Sequence, residues 1–169
     1  MAILGVHHVS YTVTDLERTV AFYRDVLGMD VVGRKHRRSA DLGTALFGTA
    51  APEEEAAAEL LIADMALGGL RVEFIQYVDP ASRPYHGDPS VAGSGHLAIL
   101  TRDIEREYRR LQAAGVRFHT SVRTVRDPGR PVWRWCYFRD PDGICVELVE
   151  SVDETAAAGE APAAGKAGP

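Results

Sequence analysis

The chain is poor in cysteine, with Cys136 and Cys145 alone among 169 residues. Two are too few for a disulfide framework and their spacing matches no zinc knuckle, so both are expected as small buried hydrophobes. Positive charge is not in excess either. Lys and Arg number 19 against 24 Asp and Glu, for a formal net charge of -5. Neither a phosphate backbone nor an anionic membrane is therefore an expected partner. No apolar run approaches the roughly 20 residues that cross a bilayer. The start, MAILGVHHVS, lacks the basic and long apolar segments of a signal peptide, and a cytoplasmic placement is the corresponding expectation. Large apolar residues are missing beyond Val152. Residues 151–169, rich in Ala, Gly and Pro, are expected to form a disordered tail. The remainder has the balance of an ordinary folded domain, the whole chain being 46% hydrophobic and 25% charged.

What is present is a repeat. From His8 the chain reads HVSYTVTDLER, and from His96 it reads HLAILTRDIER. Each begins as an alternating strand and reaches an Asp, Asp15 or Asp103, suited to cap a helix. Apolar residues then recur at helical spacing, at Leu16, Val20, Tyr23 and Leu27 and at Ile104, Tyr108 and Leu111. Gly28 and Gly115 follow as helix stops. The halves also end alike, in GLRVEFI at 69–75 and GICVELV at 143–149, the second after a DPDG turn. Two further strands are expected in each half, at 29–36 and 57–67 and at 116–125 and 132–139. The predicted fold is α+β, built from two tandem βαβββ modules within residues 1–150. The first spans about 4–79 with an insertion at 37–56, and the second about 92–150. The insertion is either a surface excursion or a lid over a pocket.

The repeat singles out His8, Glu73, His96 and Glu147, with each half supplying a His in its first strand and a Glu in its last. Two imidazoles and two carboxylates make a credible first shell for a divalent metal, and a structural site built on thiolates is excluded. Strand alternation supports the choice. His8 shares a face with Ser10 and Thr12, whereas His7 shares the other with Val9, Tyr11 and Val13. His7 is thus expected to pack, so that His7→Ala should cost stability while His8→Ala should cost metal. Glu73 falls with Arg71, Ile75 and Tyr77, opposite Val72 and Phe74. Glu147 stands between the core positions Val146 and Leu148, where an unpaired carboxylate is costly.

The stretches HHVSYTV, DLERTVAFYRDVLGM, SGHLAIL and YFRDPDGICVELVE resemble the vicinal oxygen chelate superfamily. It includes glyoxalase I, methylmalonyl-CoA epimerase, extradiol dioxygenases and the bleomycin and fosfomycin resistance proteins. The resemblance covers about residues 4–150. It implies paired βαβββ modules whose curled mixed sheets surround a shared metal cavity, with His8, Glu73, His96 and Glu147 at the four ligand positions. It also implies a homodimer and one divalent ion per chain, Ni, Co, Mn, Zn or Fe. The substrate would be a small molecule with adjacent oxygens.

The resemblance implies a lyase or isomerase in which the metal stabilises an enolate. A metal-bound Glu would loosen to move the proton, Glu147 as first choice and Glu73 as second. One alternative is an Fe(II) extradiol dioxygenase using His8, His96 and Glu147, with Tyr137 at the position of that family's active-site Tyr. Glu73 would then be a surplus ligand, and His86, in PYHGDP, is a poor match for that family's extra His. Another alternative is a small-molecule (antibiotic) binding or resistance protein. The expected substrate-binding walls are Tyr77, Trp135, Tyr137 and Phe47. The basic run GRKHRR at 33–38 is either a contact for an anionic substrate or a solvated strand end.

Overall fold

The computed structural model describes residues 2–39, 58–85, 88–128 and 130–152. Phe47, His86, all but the first residues of the expected lid and the tail from residue 153 lie outside the described residues. Contacts divide the chain into two units. The first takes Met1–Ser94 together with Arg139–Ile144, and the second takes Gly95–Phe138 and Cys145–Pro169.

In the first unit, strand β1 (Val9–Thr12) leads through Asp15 into helix α1 (Leu16–Ala21). The Asp15 carboxylate accepts from the Arg18 N–H at 3.0 Å, a cap worth about 1 kcal/mol. The helix does not run on regularly as its periodicity predicts. It widens into a π-helical turn at Phe22–Val26, then stops at Gly28, whose φ of 76° suits a residue without Cβ. Strands β2 (Asp30–Ser39), β3 (Ala58–Leu67) and β4 (Leu70–Asp79) follow. The sheet order is β1-β4-β3-β2, with β1 parallel to β4. Such a parallel pair requires a crossover, and α1 begins it. Val20, Tyr23, Met65, Val72 and Phe74 are buried, with the Tyr23 and Phe74 rings 4.4 Å apart.

The second unit repeats the plan. Strand β5 (His96–Leu100) and helix α2 (Ile104–Ala113), capped by Asp103, precede β6 (Arg123–Val125), β7 (Val132–Arg139) and β8 (Cys145–Val152). The order is β5-β8-β7-β6, again with first and last strands parallel. Ile104, Leu111, Cys136, Phe138, Val146 and Leu148 are buried, and Phe118 lies between Tyr108 and Phe138. The expected βαβββ repeat and α+β class are therefore observed. β2 runs through Ser39 and β8 through Val152, both further than the sequence pattern suggests. Among the described residues no helix is long and apolar enough to cross a membrane.

The DPDG turn of the second repeat belongs to the first unit. Asp142 accepts from the Thr14 N–H and hydroxyl and pairs with Arg18 at 3.0 Å. Burial pushes Asp142 up, but the hydrogen bonds from Thr14 and the Arg18 charge outweigh it, leaving the carboxyl below its ordinary value. Asp140 behaves oppositely. It is buried and accepts from the Ile144 and Asp142 N–H groups and from the Tyr23 hydroxyl. Burial still dominates and pushes it up to about 6.

In the unfolded chain the same group protonates near pH 3.9. Its contribution to stability therefore grows as pH falls through about 6 and levels off below the unfolded value. Asp140→Asn keeps an acceptor for both N–H groups and removes this titration. Urea melts are expected to show the variant losing up to about 3 kcal/mol relative to wild type between pH ~7.5 and ~4. A constant difference across that range would contradict the assignment.

Candidate active site

Parallel pairing brings each histidine to its glutamate. In the first unit Ser10 pairs with Glu73, and His8, two residues earlier, turns its Nε2 to within 3.6 Å of Glu73 Oε2. In the second, Ala98 pairs with Glu147 and His96 Nε2 lies 3.0 Å from Glu147 Oε2. The offset is the same in both, so the repeat extends to the register of its polar groups. Both glutamates are mostly covered, with side-chain exposures of 14% and 13%. Among the described residues no three or more His, Cys, Asp or Glu side chains form a group able to hold a metal. The four donors stand as two pairs, one in each unit.

His7 does not take the expected packing role. Strand β1 begins at Val9, so His7 precedes the pleat on which the alternation argument rests. Its ring is exposed and its Nδ1 lies 2.7 Å from His8 Nδ1. One of the two must donate and the other accept. For His8 Nε2 to offer a lone pair to a metal, the His8 Nδ1–H must donate to His7.

The basic run resolves into two faces. On one, Arg34 pairs with Glu17, while His36 and Arg38 reach Glu59 at 2.9 and 3.8 Å. On the other, Lys35 Nζ lies 2.8 Å from Asp64 Oδ2 and 3.6 Å from Glu73 Oε1. The hydrogen bond to Asp64 raises the Lys35 ammonium above its ordinary value, so it stays charged. Sequence reasoning missed this pair because a lysine in a basic run has no repeat partner to mark it.

The second unit holds a cleft of about 500 Å³ lined by Ala98, Leu100, Trp133, Trp135, Glu147 and Val149. Trp135 was expected there and Trp133 was not, although it stands two residues away on the same strand face. Tyr137, next on that face, meets the ring of His96 edge-on with centroids 5.6 Å apart. Tyr77 lies on β4, on the face of Glu73, where burial raises its phenol.

A family model for the Glyoxalase/Bleomycin resistance protein/Dioxygenase superfamily matches residues 5–148. The chain belongs to that superfamily. It is 33% identical over 149 residues to a 2-epi-5-epi-valiolone epimerase from Actinomyces, covering 86% of this chain and 79% of that protein. It is 29% identical over 146 residues to a lactoylglutathione lyase of Arabidopsis thaliana, covering 85% of this chain and 43% of that one. A glyoxalase family protein from Bacillus cereus shares the fold, with a TM-score of 0.70 at 22% identity, over 90% of this chain and 99% of that one. Relatives of lyase and isomerase type thus stand beside the superfamily match.

Burial pushes the Tyr137 phenol up to about 12, and the hydrogen bond to Glu147 and its negative charge add to the rise. Glu147→Gln removes the charge. In an alkaline titration followed by phenolate absorbance, the phenol signal lost in Tyr137→Phe is expected to move down from about 12. An unmoved Tyr137 signal would separate Tyr137 from Glu147.

Proposed function

We propose that the chain is a divalent-metal-dependent enzyme of lyase or isomerase type. His8, Glu73, His96 and Glu147 would hold one Ni, Co, Mn, Zn or Fe ion per chain, with a small-molecule substrate bearing adjacent oxygens. The observation that carries this reading is the doubled Nε2–Oε2 pair, at the same register in both units. Two imidazoles and two carboxylates, without thiolates, suit such ions. The named epimerase and lyase relatives support the same class.

When bound, such an ion supplies Lewis-acid stabilisation of negative charge on substrate oxygens. The remaining work falls to the chain. Glu147, at the cleft wall beside Trp135, takes a proton from the carbon next to the carbonyl and returns it. Tyr137 holds the Glu147 carboxylate in place. Trp133, Trp135, Leu100 and Val149 take up the apolar part of the substrate and keep water from it, and Tyr77 forms a wall on the side of Glu73.

A second reading, an Fe(II) extradiol dioxygenase, is favoured by the seating of Tyr137 against both Glu147 and His96. It uses His8, His96 and Glu147 and leaves Glu73 out of the shell.

Purified protein is expected to carry about one divalent ion per chain, lost from His8→Ala and His96→Ala because the ligands act together. In heavy water the wild type should exchange the substrate proton next to the carbonyl, and Glu147→Gln should stop exchange. Metal-free protein whose activity survives both His→Ala changes would refute the reading. Oxygen-dependent catechol cleavage would select the dioxygenase. The two tryptophans of the chain both line the cleft, so intrinsic fluorescence should report substrate binding directly, and an unchanged spectrum at saturation would place the substrate elsewhere.

A further inference from the structure

One polar row crosses the sheet of the first unit from edge to edge. Gly33 of β2 pairs with Asp64 of β3, Asp64 with Glu73 of β4, and Glu73 with Ser10 of β1. Lys35 lies two residues beyond Gly33 on the same face of β2 and reaches back to this row. His8 reaches it from the opposite edge.

Asp64 is a buried acidic residue in the middle of a mostly apolar strand. Such a carboxylate needs a partner, and Lys35 provides it at 2.8 Å. The carboxylate lies over Gly33, where an added Cβ would come within 2.9 Å of Asp64 Oδ2. The backbone thus leaves room at residue 33 for this carboxylate, whose position in turn sets that of the Lys35 ammonium.

The two oxygens of Glu73 are divided between two neighbours. Oε2 faces His8 Nε2, and Oε1 faces Lys35 Nζ, each at 3.6 Å. From this geometry we infer that Lys35, anchored by Asp64, is a positioning residue that makes Glu73 a one-oxygen metal ligand. The inference rests on the metal reading above. The Lys35 ammonium stands on the Oε1 side of Glu73 and leaves Oε2 beside the imidazole of His8. Groups that orient a metal ligand in this way commonly contribute 10- to 100-fold in metal affinity.

The role also separates the two glutamates. Glu73 is held by an ammonium on the side away from His8. Glu147 instead has His96 Nε2 at 3.0 Å, whose ring meets that of Tyr137 edge-on.

Co(II) affinity and the visible spectrum of the Co(II)-loaded protein test this. Lys35→Met is expected to weaken Co(II) binding by about 10- to 100-fold and to change the spectrum, because Glu73 is then free to bind through both oxygens. Lys35→Arg should restore most of the affinity. Asp64→Asn should act in the same direction as Lys35→Met, since it releases the anchor. Thermal unfolding of the metal-free proteins separates loss of fold from loss of positioning, and Lys35→Arg serves as the readout should Lys35→Met fail to fold. Wild-type affinity and spectrum in Lys35→Met would overturn the inference while leaving the metal reading intact. Absence of Co(II) binding by the wild type would remove both.

Discussion

The parallel pairing of the first and last strands within each unit is the constraint on which the rest depends. It joins β1 to β4 and β5 to β8, across a helix and two strands in each case. Parallel neighbours cannot be joined by a tight turn, so each module must leave the sheet edge, form its helix and return. The return sets the register, and the register sets the chemistry. Glu73 comes opposite Ser10 and Glu147 opposite Ala98, each within reach of the histidine two residues earlier. A slip of one residue would turn both glutamates into the core beneath the helices.

The alternation that exposes these donors also builds the support beneath them. Val72 and Phe74 flank Glu73 in sequence and are buried on the opposite face, as are Val146 and Leu148 beside Glu147. Deep burial of the neighbours fixes each strand, so the carboxylates between them have little freedom of position. The same logic explains Lys35 and Asp64, which lie on the polar face of one sheet. Trp133, Trp135 and Tyr137 take the corresponding face of the other. The first unit thus surrounds its pair with charge, and the second surrounds its pair with aromatic rings.

Much of this is legible in the linear chain because it is periodic or repeated. The caps at Asp15 and Asp103, the stops at Gly28 and Gly115, the faces of β4 and β8 and the two His–Glu pairs all carry a local pattern or a counterpart in the other half. The features that escape have neither. The π-helical turn at Phe22–Val26 leaves the apolar spacing almost unchanged. DPDG reads as a turn, but nothing local shows that Asp140 and Asp142 seat against Tyr23, Thr14 and Arg18. Lys35 hides among five basic residues at 34–38, and its role depends on Asp64, a residue without a motif. His7 misleads because alternation holds only inside a paired strand, and β1 starts after it.

In the proposed site, His8, Glu73, His96 and Glu147 together hold one metal ion. Anomalous diffraction from crystals grown with Mn or Co tests this most directly. A single strong peak bonded to His8 Nε2, Glu73 Oε2, His96 Nε2 and Glu147 is expected, with Lys35 beside the other oxygen of Glu73. A peak bonded to other residues, or none at saturating metal, would contradict it.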